Sequence, residues 1–126
     1  MTNRDAVLDA ARHFYMVTFE IAPEDEALFN EIYDTEHVPN ILRVKGVLGV
    51  VRFKDAAPTA AGWLLYSALY LITRPDLPTT PEWKKASDTG RWAPMMRPRM
   101  KSRQQRLGSV AAAALVAAAA LVAAAG

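Results

Sequence analysis

The sequence predicts an α+β domain: a ferredoxin-like βαββαβ antiparallel sheet with two helices on one face. Two observations predict the pattern and a third bounds it. Four stretches carry strand character, and two proline-opened stretches carry helical spacing. They run in the order strand, helix, strand, strand, helix, strand. The chain has 126 residues, enough for one domain and not two. The final seventeen contain only Ala, Val, Leu and a terminal Gly. The domain is therefore read as residues 13–107, with an N-terminal extension over 1–12 and an Ala-rich, helix-prone tail over 108–126.

Residues 5–12 (DAVLDAAR) allow a short helix with Val7, Leu8 and Ala11 on one side. Residues 13–21 (HFYMVTFEI) are aromatic and β-branched and read as a strand. Phe14, Met16, Thr18 and Glu20 share one face of it; Tyr15, Val17, Phe19 and Ile21 share the other. Pro23 opens a helix, and Glu24, Asp25 and Glu26 suit its positive end. Leu28, Phe29, Ile32 and Tyr33 keep helical spacing to about His37, where Val38-Pro39 is expected to interrupt it. Ile41, Leu42 and Val44 then suggest a short buried segment or a further helical turn. Residues 46–54 (GVLGVVRFK) read as the second strand, and 55–62 (DAAPTAAG) as a loop. Residues 63–73 (WLLYSALYLIT) form the strongest strand, apolar enough to be buried on most of both faces. Three prolines make 74–81 irregular. Thr80 can cap a helix with Pro81 in its first turn, and Gly90 ends it. Residues 97–107 (RPRMKSRQQRL) are assigned to the fourth strand.

The second sheet face carries large side chains, and no helix remains to cover it. Pairing with a second copy would bury it, so a homodimer is expected, with a cavity between sheet and helices.

Charge is uneven although the net value is only +2. Residues 20–36 hold seven acids and no Lys or Arg, while 84–106 hold eight bases against Asp88. Two solvated faces that attract each other are the plainer reading. No aromatics interleave the bases from Arg97 to Arg106, which disfavours nucleic acid. An anionic small ligand held by one or two arginines remains open. With no cysteine, disulfide, thiolate-metal and Cys-nucleophile chemistry are excluded. No apolar signal-peptide core follows the N-terminus, so a cytoplasmic location is expected. The tail repeats Val-Ala-Ala-Ala-Ala-Leu from Val110, which keeps no steady apolar stripe. It is short for a membrane span and mostly alanine, so a membrane partner is not expected.

The chemistry-bearing candidate is the run Tyr33-Asp34-Thr35-Glu36-His37. On a regular helix His37 shares a face with Asp34 and Tyr33. A carboxylate beside an imidazole raises its basicity, as a general base requires, and a phenol can hydrogen-bond a developing oxyanion. A surface Asp–His pair at a helix end is the alternative. Asp34, Glu36 and His37 lack a second histidine nearby, so no metal is expected. No phosphate-binding glycine loop or nucleophile elbow occurs, and no cofactor is expected. Trp63, Tyr66, Tyr70, Trp83 and Trp92 line an aromatic pocket or belong to the core.

Residues 33–53 (YDTEHVPNILRVKGVLGVVRF) resemble the helix-to-second-strand pattern of the dimeric α/β-barrel superfamily, in the style of EthD-like and NIPSNAP-like proteins. There an acidic residue, a His and often a Pro precede a PGV…RF strand; Lys45 stands where the proline is usual. Pro81-Glu82-Trp83 and Gly90-Arg91-Trp92 extend the likeness over about residues 14–106. The resemblance implies a homodimer with a ligand cavity in each subunit. The superfamily includes cofactor-free monooxygenases, polyketide cyclases and isomerases. Its haem-binding branches need a proximal histidine, whereas His37 matches the EthD-like position. The carry-over is His37 as the cavity residue, with Asp34 and Tyr33 as neighbours.

The functional expectation is a cofactor-independent enzyme performing proton transfer, cyclisation, isomerisation or oxygenation on a hydrophobic aromatic or polyketide-like substrate. His37 would move a proton, Asp34 would orient it, and Tyr33 or an arginine would steady negative charge. Trp63, Tyr66, Trp83, Trp92 and Arg97 are the expected ligand contacts. The alternatives are a non-catalytic ligand-binding or accessory barrel, and a membrane- or assembly-associated protein using the tail.

Overall fold

The computed structural model describes residues 3–113. Four antiparallel strands, β1 (His13–Ile21), β2 (Val47–Lys54), β3 (Leu64–Ile72) and β4 (Ser102–Ser109), lie in the order β2-β3-β1-β4. A short helix α1 (Asn3–Ala10) precedes β1. Between β1 and β2 the chain forms a 3-10 turn (Pro23–Asp25), α2 (Glu26–Ile32), a π-helical turn (Tyr33–His37) and α3 (Val38–Leu42). Between β3 and β4 come a 3-10 turn (Leu77–Thr79), α4 (Pro81–Asp88), a second π-helical turn (Trp92–Met96) and a 3-10 turn (Arg97–Arg99). The sheet with helices is the expected α+β, ferredoxin-like arrangement.

Strand alternation decides which side chains meet the helices. Tyr15, Val17, Phe19 and Ile21 of β1 are buried, as are Tyr66, Ala68, Tyr70 and Ile72 of β3. They pack on Phe29, Ile32, Tyr33, Ile41, Trp83, Trp92 and Met96 to make the core. The register places Phe14 and Met16 of β1, Leu69 and Leu71 of β3, and Val51 and Phe53 of β2 on the opposite face. Val51 and Phe53 remain 48% and 47% exposed there.

Two sequence expectations are corrected. The helical path runs through Val38-Pro39 instead of breaking. The Val38 N–H reaches back five residues to the Tyr33 carbonyl. This widened turn brings Pro39 into the first turn of α3, where a missing N–H is tolerated. The fourth strand begins at Ser102, not at 97, because Pro98 sits in a 3-10 turn and has no N–H for a ladder. At its far end β4 runs to Ser109, paired with His13. The helix-prone stretch shows no helix at 110–113, and its remainder, 114–126, lies outside the described residues. Among the described residues no helix is long and apolar enough to cross a membrane.

Candidate functional site

The first π-helical turn builds one wall of a cavity. In an i→i+5 turn, residue i+4 comes close to eclipsing residue i, while i+3 falls well off that face. Tyr33 and His37 accordingly pack ring against ring, with centroids 4.8 Å apart and planes tilted by 51°. Asp34 is turned away. Its carboxylate meets Arg52 Nη1 of β2 at 2.5 Å and its side chain is half-exposed. The expected orientation of His37 by Asp34 is therefore overturned: the turn geometry separates them. Glu36 is equally occupied, accepting from Arg91 N at 3.0 Å and Arg91 Nε at 2.5 Å.

The cavity, about 270 Å³, lies between this turn, the sheet, α4 and the second π-helical turn. Tyr15, Phe19, Tyr33, His37, Tyr70, Trp83 and Trp92 supply its aromatic wall. Trp92 packs against the imidazole of His37 at 4.6 Å, and Trp83 meets Tyr15 and Tyr70 edge-on. Such aromatic walls favour flat, apolar ligands. Arg97, Lys101, Arg103, Ser87 and Ser102 supply its polar lining, and Val17 and Met100 complete it.

His37 is 6% exposed, and its Nδ1 is buried with no hydrogen-bond partner among the described residues. Burial, reinforced by the nearby positive charges of Arg97 and Arg103, pushes its pKa down to about 3. The ring is thus neutral throughout the physiological range. An unsatisfied buried polar atom is uncommon in native proteins. The Tyr33 and Tyr70 hydroxyls are 2.7 Å apart. Burial holds the pKa of each above the ordinary tyrosine value, so both remain phenols. One phenol donates to the other, which leaves the acceptor's own proton available to a third group. Tyr15 Oη accepts from Arg103 Nη2 at 3.0 Å.

Of the residues singled out in the sequence, the structure brings His37, Tyr33, Tyr70, Trp83, Trp92 and Arg97 to this cavity. It does not bring Asp34, Trp63 or Tyr66 there. Tyr66 is at the other end of α2, donating to Glu26 Oε2 at 2.5 Å and accepting from Asn30. Trp63 lies under the Lys101 ammonium at 5.1 Å. Tyr15 was missed, although alternation along β1 already set it on the face of Val17 and Phe19. Arg103 was hidden in a run of bases, since its orientation depends on the register of β4 with β1. Among the described residues no group of acidic or histidine side chains is disposed to hold a metal ion.

No protein-family model matches the chain, and no curated protein matches its sequence. Solved structures do match in fold. A dimeric ferredoxin-like protein from an uncultured marine organism aligns with a TM-score of 0.64 at 14% identity, over 87% of this chain and 96% of its own. The chain has the ferredoxin-like fold. An EthD-family protein from Bacillus halodurans aligns at 0.54 and 17% identity, over 77% and 96% of the two chains. An antibiotic-biosynthesis monooxygenase-like protein from Nitrosomonas europaea aligns at 0.52 and 15%, over 81% and 92%. These ferredoxin-like neighbours agree with the resemblance read from residues 33–53.

Proposed function

We propose that this ferredoxin-like chain is a cofactor-independent enzyme acting on a hydrophobic aromatic or polyketide-like molecule held in the His37 cavity. The observation that carries the reading is the His37 imidazole in the aromatic wall of the cavity, beside the hydrogen-bonded Tyr33–Tyr70 phenols. The monooxygenase-like description of one fold neighbour supports it. A phenolic or enolisable carbonyl substrate suits the site. Its acidic proton passes to the imidazole, and the electron pair left behind rests on the substrate oxygen. The free phenol proton of the Tyr33–Tyr70 pair hydrogen-bonds that oxygen. Imidazolium and oxyanion form together as a neutral pair, so the burial that opposes a lone imidazolium opposes the pair less. Asp34 has no part in the step.

One observation favours the alternative, a non-catalytic ligand-binding barrel: among the described residues no carboxylate partners His37 Nδ1 to raise its basicity. Turnover of enolisable polycyclic ketones by wild type and His37→Ala separates the two. Turnover in the wild type, lost in a folded His37→Ala variant, is the expected result. Binding without turnover in both proteins favours the barrel.

The apolar outer face of the sheet supports a homodimer. Val51, Phe53, Leu69, Leu71, Phe14 and Met16 sit together there, and the dimeric fold neighbours argue for a second copy as their cover.

A further inference from the structure

We propose that the mouth of the cavity is a carboxylate-recognition site built on Arg103 and Arg97, so that the ligand is an aromatic acid. This rests on the cavity reading above and adds the ligand's charge.

Four basic side chains border the cavity and a neighbouring depression that shares Tyr15, Trp83, Arg97 and Arg103 with it: Lys84, Arg97, Lys101 and Arg103. They are not equivalent. Lys101 is engaged by Glu20 at 3.3 Å and by the face of Trp63. Arg97 meets Asp88 at 3.0 Å and Ser87 Oγ at 3.2 Å, which fixes its guanidinium at the rim. Arg103 has no carboxylate partner among the described residues. Its partners are uncharged: it donates to Tyr15 Oη on the cavity wall at 3.0 Å, and from Nη1 and Nη2 to the Gln105 side-chain oxygen at 3.2 and 3.1 Å. The β4 register sets it opposite Phe19, on the sheet face that meets the helices. A guanidinium carries five donors in a planar fork matched to a carboxylate; the phenol and amide oxygens take three of them and leave the charge uncompensated, so an anionic ligand can use the remaining two or replace the neutral amide. Among the described residues Asp88, already held by Arg97, is the acidic side chain bordering these two depressions. The mouth therefore has an excess of positive charge around a planar aromatic slot.

The same pair faces His37. Both guanidinium charges oppose protonation of the imidazole. A bound carboxylate offsets them, so an acidic ligand also makes His37 a better proton acceptor than a neutral one does.

The test is calorimetric titration of the full chain with 2-naphthoate and with its uncharged isostere 2-naphthamide. Wild type is expected to bind the carboxylate about tenfold more tightly, the worth of one good charge-assisted contact. Arg103→Gln and, separately, Arg97→Gln should bring that ratio close to one, with folding checked by thermal unfolding. Arg74→Gln, which removes an equal charge from a different depression, should keep it. Equal binding of both probes by wild type overturns the carboxylate assignment and leaves the cavity reading standing. Binding of neither probe overturns both. A preference that survives in both arginine variants, or that Arg74→Gln abolishes as fully, overturns the assignment to Arg103 and Arg97.

Discussion

His37 is a buried base that stays neutral, and this has a measurable consequence. The unfolded chain takes up a proton on this side chain below about pH 6.5, while the folded chain does so only near pH 3. As pH falls through that window the unfolded state binds more protons, so stability falls. From pH 7 to pH 5, above the range of ordinary carboxylates, this side chain alone should cost about 2 kcal/mol. Urea unfolding at both pH values should show that loss in wild type and its near absence in His37→Gln. Asp34 behaves differently. Its ion pair with Arg52 is half-exposed, so Asp34→Asn should cost at most about 1 kcal/mol. The same pH comparison in Asp34→Asn should match wild type; a changed slope would mean that Asp34 does act on His37.

At the scale of elements, the two π-helical turns and the ties that brace them form the site. Glu36 binds the main chain and side chain of Arg91, and so joins the first turn to the segment leading into the second. Gly90 makes the approach possible: its φ is +82°, and a Cβ there would lie 2.8 Å from Glu36 Oε1. Gly90→Ala should therefore destabilise by about 1–3 kcal/mol through backbone strain, before any effect on Glu36. Chemical denaturation measures this. On the other side, Arg52 of β2 pins α2. Its guanidinium lies 4.8–5.4 Å from the ring centroids of Phe29, Tyr33 and Tyr66, and it donates to Asp34 and Asn30. Ala68, opposite it on β3, is small enough to leave room. A lysine keeps the charge but loses the planar stacking and the fork. Arg52→Lys should cost about 1–2 kcal/mol, read as a lowered denaturation midpoint.

For the whole molecule, burial is one-sided. The helix-facing side of the sheet holds the core, whereas the other side exposes Val51 and Phe53. Gly108 serves that second face: Phe14 lies across it, and a Cβ there would fall 2.3 Å from the ring. If a second copy covers this face, light scattering at micromolar concentration should give twice the chain mass. Phe53→Lys should give a folded monomer. A wild-type monomer under those conditions rejects the dimer.

Much of the fold was legible in the sequence because its determinants are local. Alternation fixed the inward face of β1, and Thr80 followed by Pro81 marked the start of α4, where Thr80 Oγ1 accepts from Trp83 N. Residues 33–53 already pointed to His37 as the cavity residue. The partners in the site were not legible, because they depend on long-range register and on a departure from regular helix. Three-residue spacing put Asp34 beside His37; the π-helical turn gave Asp34 to Arg52 instead. Tyr66 and Tyr70 alternate on the same face of β3, yet position along the strand sends only Tyr70 to the cavity. Composition marked 84–106 as basic, but only the pairing of β4 with β1 turned Arg103 inward. Side-chain periodicity is set by neighbouring dihedral angles and can be read along the chain. Which charges meet is set by packing between elements far apart in sequence, and that the tertiary structure alone decided.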